Sequence, residues 1–453
     1  MQVLNALALF ADANGDALAS PQWRWQVAAT AAGPFADIAG AVQSYFVPSA
    51  AEQGKWLRFG VLPMALLPPA AGLWTWSAAV GPVVAEKPYL NHILSTGESV
   101  SLGVGGAPAL STNQPYQNVG LSGDQLVPLV EKKIETPASA MANHLTEASP
   151  GKSWKFAVTL HGQSATPYIG LRKGSLPFAA GMKQVQAVAA AAKAQGQLPR
   201  VLAVTAIDGE GDGGSGWASS YAKSLQQWQS DYQQEVSALT KQSGVLPMFI
   251  DQLSAFGALS AGPALPLAQL EASLAKPGAI ILVGPRYQFT YPDALHLDAP
   301  SYQHLGAYFG KVIGRVLFQG EVWLPLSPLS ASRKGKVITL KMHVPNPPLV
   351  LDTMLVAKRN QLGFEYLNSK ETIAVTAVSV ADTTVTLTLA SEPAHPGEHV
   401  RYGCAFINKS GSGAMVANAP GGNLRDSDAT PGPGGKPLYN WAIHSDIAVE
   451  LAK

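Results

Sequence analysis

Short apolar runs alternate with longer helical patterns through the middle of this chain, and this alternation constrains the fold more than any other feature. The runs KFAVTL, RVLAVTAI and AIILVGP are typical of buried strands, whereas GMKQVQAVAAAAKAQG carries apolar residues at helical spacing. Strand, helix and strand in this succession indicate a parallel sheet with helices on both faces. The sequence therefore predicts an α/β domain over residues 89–325.

Two regions with different patterns of apolar and polar residues flank this stretch. Residues 1–88 contain short apolar runs that are broken by prolines and by Asn14-Gly15, a dipeptide typical of hairpins. Residues 326–453 contain VITLKMHV and TVTLTL, in which apolar and polar side chains alternate. This period of two predicts an antiparallel β-sandwich. We therefore expect three domains, of which the first is β-rich and the last is a candidate for carbohydrate binding.

The charge and cysteine content exclude several function classes. The 31 basic and 30 acidic side chains nearly cancel, so we expect no general attraction to nucleic acid or to an anionic membrane, whereas a glycan is compatible. The single cysteine, Cys404, excludes an intrachain disulfide and a multi-cysteine metal site. Prolines interrupt the apolar residues 61–80, so no membrane insertion is expected. The first residues lack a basic segment before their apolar run, so no signal peptide is expected.

In an open parallel sheet, ligands bind beyond the carboxyl ends of the strands, so the loops at those ends are the candidate site. Four such loops carry polar or small residues, and their candidate residues are, in chain order, Ser99, Gly162, Gln163, Asp208, Glu210, Asp293 and His296. An Asp and a His three residues apart on a turn can lie side by side. The carboxylate then orients the imidazole, whose other nitrogen faces a substrate.

Each loop also has an ordinary explanation when it is considered alone. Gly-x-Ser is common in loops, Asp-x-x-His arises by chance in many chains of this length, and Asp293 can simply cap a turn. The acidic residues 208–212 fit a solvated turn, or a calcium loop without the EF-hand spacing. No Gly-Lys-Ser/Thr follows the glycines at 103, 105 and 106, so they do not form a P-loop. The order of the four loops along the chain is what favours catalysis.

That ordered set resembles the SGNH/GDSL hydrolases, in particular their sialate O-acetylesterase-like branch of carbohydrate esterases. TGESVSLG is similar to the first family block, AIDGEGD to the third block of this branch, and YPDALHLDAPSYQHLG to the last block. The resemblance covers about residues 90–320 and implies a flavodoxin-like α/β/α sandwich. It implies Ser99 as nucleophile, His296 as general base and Asp293 as orienting acid, with no cofactor and no metal ion. The backbone N–H groups of Ser99 and Gly162 would form the oxyanion hole.

Asp208 departs from the family pattern in the third block. The branch places Gln, His or Asn there to donate a third hydrogen bond to the oxyanion, whereas an ionised Asp208 can only accept. Either another donor such as Gln163 substitutes, or the contact is missing. Losing one oxyanion donor typically costs on the order of 100- to 1000-fold in turnover.

The resemblance implies a serine-dependent O-acetylesterase whose partner is an acetylated polysaccharide or oligosaccharide. The stretch GNLRDSDATPGPGGKPLYNWAIHSD resembles accessory regions of such esterases in bacterial and phage surface or tail proteins. That resemblance implies an extracellular or virion-associated location, with a cytoplasmic one left open, and allows a homo-oligomer, which in a tail protein would be a trimer. Two alternatives stay open. Asp208 favours a decayed glycan-binding or structural tail module, whereas an esterase for small acyl esters is disfavoured because no apolar lid helix is evident.

Overall fold

The computed structural model describes residues 4–6, 8, 18–65, 71–83, 88–149, 154–213, 218–256, 262–404 and 420–452. The hairpin predicted at Asn14-Gly15 lies outside these residues. The N-terminal strands are β1 (Leu4–Asn5), β2 (Leu18–Ala28), β3 (Ala36–Asp37), β4 (Tyr45–Phe46), β5 (Trp56–Ala65) and β6 (Thr75–Trp76). Strands β1 and β4 form an antiparallel pair, and the other four form an antiparallel sheet in the order β3-β2-β5-β6.

A small core holds this N-terminal sheet against the rest of the molecule. Trp23 and Trp25 of β2 are buried and pack with Val61 of β5 on one face of the sheet. The indole N–H of Trp23 donates to the backbone carbonyl of Gly320 at 3.2 Å. The inner face of the sheet is therefore fixed to the central domain.

A seven-stranded sheet forms the centre of the molecule. Its strands are β7 (Tyr89–Gly97), β8 (Val119–Ser122), β9 (Gln125–Pro128), β10 (Phe156–Leu160), β11 (Leu198–Ile207), β12 (Met248–Gln252) and β13 (Ile280–Pro285). The helices are α1 (Pro137–Ala148), α2 (Tyr168–Leu171), α3 (Leu176–Ala194), α4 (Tyr221–Thr240), α5 (Ala264–Ala275) and α6 (Ala299–Gln319). The strand order is β13-β12-β11-β7-β10-β8-β9, and within this sheet only β9 runs antiparallel to its neighbour.

The strand order explains where a ligand can reach this sheet. The chain moves from β7 to β10 on one side and then returns across β7 to β11. Right-handed crossovers consequently place α1 and α3 on opposite faces, and α6 packs beside α1. The direction reverses at β7, so the crevice beyond the carboxyl ends of β7, β10 and β11 is the topological switch point. The prediction of a mixed α/β protein with a largely parallel sheet is confirmed.

The C-terminal residues form antiparallel sheets. The strands are β14 (Ser327–Lys334), β15 (Val337–His343), β16 (Val350–Leu351), β17 (Phe364–Leu367), β18 (Thr372–Ile373), β19 (Val375–Ala381), β20 (Thr384–Leu389), β21 (His399–Tyr402), β22 (Leu424–Arg425) and β23 (Ser445–Leu451). Eight of them follow the order β18-β17-β21-β23-β14-β15-β20-β19, in which only β14 and β23 are parallel neighbours. Met342 of β15 and Phe364 of β17 line one small cavity, so the two halves of this sheet face each other.

Buried polar contacts join the C-terminal sheet to the central domain. The ammonium group of Lys311 on α6 donates to Asp428 at 3.1 Å and to Asn440 at 2.6 Å. The hydroxyl of Tyr287, which follows β13, donates to the carbonyl of Ala442 at 2.6 Å. These contacts hold the segment after β13 in place. Among the described helices, none combines the length and the apolar character that a membrane crossing requires.

Candidate active site

Ser99 follows directly on the central strand β7, in a turn that requires glycine. Gly97 has a φ of +124°, and a Cβ atom there would lie 1.9 Å from the carbonyl oxygen of Ile207. Only glycine adopts this conformation at such a close approach without strain. A short 3-10 turn, Ser99–Leu102, then begins, and it leaves Ser99 half-buried at the carboxyl edge of the sheet.

The structure brings Ser99, His296 and Asp293 into one hydrogen-bonded chain. His296 Nε2 lies 2.9 Å from Ser99 Oγ, and His296 Nδ1 lies 2.8 Å from Asp293 Oδ2. An ionised carboxylate can only accept, so Nδ1 of a neutral imidazole carries the proton and Nε2 accepts from the serine hydroxyl. This is the arrangement in which a base activates a serine.

The carboxylate of Asp293 is held in its ionised form. Its second oxygen accepts from the backbone N–H groups of Leu295 and His296, each at 2.7 Å. Partial burial by itself raises the pKa of Asp293, but these bonds and the contact with the His296 ring outweigh burial, so the pKa lies below its usual value. Asp293 therefore stays charged and orients His296 at neutral pH.

The second loop, which carries Gly162 and Gln163, contacts the backbone of the first loop just before Ser99. Gln163 N–H donates to the carbonyl of Gly97 at 2.9 Å, and a Cβ atom at Gly162 would lie 2.5 Å from the same oxygen. Among the described residues, no group accepts from the backbone N–H of Ser99 or of Gly162. The Gln163 side chain is exposed. Both backbone N–H groups are thus without an acceptor in the described part of the chain, as an oxyanion hole requires.

Glu98, the neighbour of Ser99, points into the protein and ties the first loop to the third. It is 2% exposed. Its Oε1 accepts from the backbone N–H of Gly209 at 3.3 Å and of Gly211 at 2.7 Å. Burial, followed by the charge of Glu210, raises the pKa of Glu98 to about 8. Glu98 therefore carries a proton for much of the time at neutral pH.

Asp208, the residue that departs from the family pattern, lies below the surface. It is 1% exposed, and its Oδ2 accepts from the Tyr221 hydroxyl at 2.9 Å. Burial and the charge of Glu98 raise the pKa of Asp208 well above its usual value. The ionised form expected from the sequence can only accept, whereas a protonated Asp208 has an O–H to donate. Its Oδ1 has no hydrogen-bond partner among the described residues.

Glu210 is engaged with an arginine that sequence reasoning missed. Arg286 is fully buried, and its Nη2 donates to Glu210 Oε1 at 2.6 Å. Its Nε forms an ion pair of 2.6 Å with Asp251 Oδ2, at an angle outside that of a hydrogen bond. Burial raises the pKa of Asp251 to about 7, and Arg286 opposes that shift. Arg286 directly follows β13, so it links the third loop to the segment that leads to His296.

Three of the buried carboxyl groups are close enough to be considered as metal ligands. Glu98, Asp208 and Asp212 each offer an oxygen within 4.8 Å of the others, and such oxygens suit Ca²⁺ or Mg²⁺. Burial makes these carboxyl groups bind protons more readily than usual. The pKa of Asp212 is raised to about 6, mainly by burial, and that of Asp208 lies well above its usual value. At pH 7 the cluster therefore still carries negative charge, because Asp212 is largely ionised there.

The cluster beneath Ser99 was missed because its members are distant in sequence. Arg286 and Asp251 each stand at the end of an apolar run, as the residues after AIILVGP and within MFIDQ. A charged residue at the end of a buried strand, in a chain with an acidic loop after another strand, was the available signal. This signal does not show which of the charged residues pair with each other.

Comparisons with known proteins bear on the fold of this chain. No protein-family model matches the chain, and no curated protein sequence matches it. Among solved structures, XAC1771, a carbohydrate acetylesterase from Xanthomonas citri, is 14% identical with a TM-score of 0.50 over 95% of this chain and 94% of that one. A protein from Arabidopsis thaliana is 16% identical, with a TM-score of 0.42 over 50% of this chain and 98% of its own.

A third similar structure is Est24, a carbohydrate acetylesterase from Sinorhizobium meliloti. It is 12% identical, with a TM-score of 0.30 over 50% of this chain and all (100%) of its own. At these identities a structural likeness shows a fold and not an activity. The similarity to XAC1771 extends over almost the whole chain, so it includes the flanking β regions as well as the central sheet.

Proposed function

We propose that the chain is an SGNH-type ester hydrolase that removes acetyl groups from a carbohydrate, most naturally a polysaccharide. The observation that carries the proposal is the hydrogen-bonded chain from Asp293 through His296 to Ser99. Its place at the switch point of a parallel sheet is where ligands bind in such folds. The description of XAC1771 as a carbohydrate acetylesterase supports the choice of substrate class.

In the proposed first step, Ser99 Oγ attacks the acetyl carbonyl carbon while His296 Nε2 takes the hydroxyl proton. The negative charge that develops on the carbonyl oxygen is bound by the backbone N–H groups of Ser99 and Gly162. The tetrahedral intermediate then collapses. The C–O bond to the sugar breaks, His296 returns the proton to the sugar oxygen, and an acetyl ester remains on Ser99.

In the second step, water replaces the sugar. His296 takes a proton from the water as its oxygen attacks the acetyl-serine carbonyl, and the second tetrahedral intermediate releases acetate as Ser99 recovers its proton. Asp293 stays ionised throughout and stabilises the imidazolium that forms twice in each cycle. No cofactor is needed for either step.

Acetate release tests this proposal. The protein is incubated with acetylated xylan, acetylated pectin, an O-acetylated bacterial polysaccharide and 4-nitrophenyl acetate, and Ser99→Ala is the control. We expect acetate from at least one glycan, and none above background from the variant. Hydrolysis of the aryl ester alone would favour an esterase for small acyl esters. Failure on every substrate by a folded protein would favour a glycan-binding module without activity.

A virion-associated or extracellular location and a trimeric state stay predictions of the sequence resemblance. Sedimentation analysis of the purified chain tests the trimer directly.

A further inference from the structure

A second candidate binding surface lies on the outer face of the N-terminal sheet. Side chains alternate along β2, so Arg24 points away from the buried Trp23 and Trp25. Arg24 pairs with Gly60 on β5, and Gly60 pairs with Trp76 on β6. These outward positions carry rings and guanidinium groups. We call the set Phe35, Arg24, Arg58, Trp74 and Trp76 the aromatic platform.

Trp76 lies flat against the sheet. A Cβ atom placed on Gly60 would be 2.6, 2.8 and 2.9 Å from three adjacent atoms of the Trp76 benzene ring. Three nearly equal distances mean that the ring covers this glycine with its face and not with its edge. Trp74 lies nearly parallel to it, with ring centroids 5.9 Å apart and an angle of 22°. Both rings are half-buried, so part of each faces solvent.

Two arginines frame the rings. The guanidinium of Arg24 lies 4.6 Å from the Trp74 ring, and that of Arg58 lies 4.7 Å from Trp76 and 4.3 Å from Phe35. Such contacts fix a guanidinium in place while its edge keeps N–H groups to donate. The rings and guanidinium groups together make a surface with flat apolar area and directed donors.

The platform carries an excess of positive charge. Arg24 forms an ion pair with Asp37 at 3.2 Å, and both side chains are about half exposed, at 42% and 51%. Arg58 Nε donates to the side chain of Gln26 at 2.8 Å. Among the described residues, no carboxylate pairs with Arg58. One guanidinium is therefore left to bind an anionic group, in the bidentate way that suits a carboxylate.

We propose that the aromatic platform binds a carboxylate-bearing polysaccharide, whose sugar rings stack on Trp74 and Trp76 while a carboxylate pairs with Arg58. Stacking uses the apolar face of a pyranose, and the part of each indole that stays exposed offers it flat apolar area. The charge complementarity selects acidic sugars over neutral ones. This binding goes beyond the proposed hydrolysis and does not depend on Ser99.

The platform is remote from the catalytic residues. Trp23 contacts Gly320, at the carboxyl end of α6, whereas His296 lies just before the amino end of that helix. A helix of 21 residues is about 30 Å long at roughly 1.5 Å per residue. One sugar unit cannot occupy both places, so the platform holds a different part of a long chain and raises the local concentration of polymer.

Affinity electrophoresis through gels containing polygalacturonate, alginate or neutral dextran tests the proposal. We expect the wild-type protein to be retarded by the acidic polymers, and Trp74→Ala/Trp76→Ala to bind them about tenfold or more weakly. Arg58→Gln should weaken binding to acidic polymers only, whereas Lys55→Gln, a charge-matched change in the same domain, should not. Hydrolysis of 4-nitrophenyl acetate should be the same in all four proteins.

Unchanged retardation of the double variant, or no retardation of the wild-type protein by any acidic polymer, would overturn the proposal. If the double variant does not fold by circular dichroism, the comparison of Arg58→Gln with Lys55→Gln decides it. A wild-type dimer that becomes a monomer in the double variant would assign the face to a second copy of the chain, and so would also overturn it. Ser99→Ala, which lacks the proposed activity, should bind as wild type, so failure of the hydrolase proposal leaves this result unaffected.

Discussion

Ser99 and Glu98 are neighbours in the chain, yet they belong to two regions in which the pKa values of carboxyl groups shift in opposite directions. Ser99 lies at the carboxyl edge of the sheet, where its hydroxyl contacts His296, and His296 contacts an ionised Asp293, so that each of these side-chain polar atoms is paired. Glu98 points downward into a cluster with Asp208, Glu210, Asp212 and Asp251, for which the buried cation among the described residues is Arg286.

The difference shows how burial assigns roles to carboxyl groups. Asp293 is about half exposed (53%) and accepts two backbone hydrogen bonds, so its pKa is lowered and it keeps its charge. Glu98 and Asp208 are almost completely buried, so their pKa values are raised and they hold protons. We infer that the ionised carboxylate orients the base and that the protonated ones join the loops beneath it.

The largest expected effect comes from Asp293→Asn, which removes the charge while keeping the shape. The amide cannot stabilise the imidazolium and can favour the wrong tautomer of His296, so kcat on 4-nitrophenyl acetate should fall by roughly 100- to 10,000-fold. Circular dichroism and the unfolding midpoint should stay near those of wild type. A decrease in kcat of less than about threefold would show that Asp293 does not contribute to catalysis.

The proximity of Ser99, Asp293 and His296 could be predicted because each lies in a recognisable local pattern in a loop that follows a strand, Ser99 after β7 and the other two after β13. TGES, HG and PDALH are short motifs, and the parallel sheet brings their ends together. The raised pKa of Asp208 could not be predicted, because it depends on burial and on the charge of Glu98, which is distant in sequence. The partners of Arg286 are likewise fixed only by the strand order β13-β12-β11.

Arg286→Met tests the buried ion pairs beneath Ser99, whereas Asp293→Asn tests the hydrogen-bonded chain to Ser99. It leaves Glu210 and Asp251 buried without a cation, and breaking a buried ion pair from one side costs about 3–5 kcal/mol. The free energy of unfolding from urea titration should drop by that amount. Arg315→Met is the comparison. Arg315 is partly exposed, and it forms a longer ion pair with Glu321 and a contact with Asp428, so its loss should reduce the free energy of unfolding by less. Equal stabilities of Arg286→Met and wild type would contradict the ion-pair assignment.

Glu98→Gln should change the pH dependence of stability. In the wild-type protein, the pKa of Glu98 is raised to about 8 from its ordinary value of 4.5. Between those values the folded state holds a proton that the unfolded state has released, so this group makes the protein less stable as pH rises. The amide oxygen of the substituted side chain still accepts from Gly209 and Gly211, but the amide does not titrate.

The melting temperature of Glu98→Gln minus that of wild type should therefore increase steadily from pH 5 to pH 8. The subtraction cancels titrating groups that do not interact with Glu98, such as the buried histidines whose pKa values are lowered. A difference that stays flat, or that decreases with pH, would show that Glu98 is ionised in the folded protein.

Asp208→Asn should have the smallest effect. The amide oxygen can still accept from Tyr221, and its NH₂ group replaces the O–H of the neutral acid, so kcat should stay within about threefold of wild type. Asp208→Ala is the matched control, because it leaves the buried Tyr221 hydroxyl unpaired at a cost of about 1–3 kcal/mol in stability. A large loss of activity in a folded Asp208→Asn protein would give Asp208 a direct role in catalysis or binding.

The most direct test of the account is whether Ser99 is an activated nucleophile. A fluorophosphonate reagent forms a phosphonyl ester with such a serine as fluoride leaves, and peptide mass spectrometry locates the ester. We predict stoichiometric labelling of the wild-type protein at Ser99, and labelling at least about 100-fold slower in His296→Ala, because the serine then lacks its base. Labelling at another residue, no labelling of the folded protein, or equal rates in the two proteins would contradict the account.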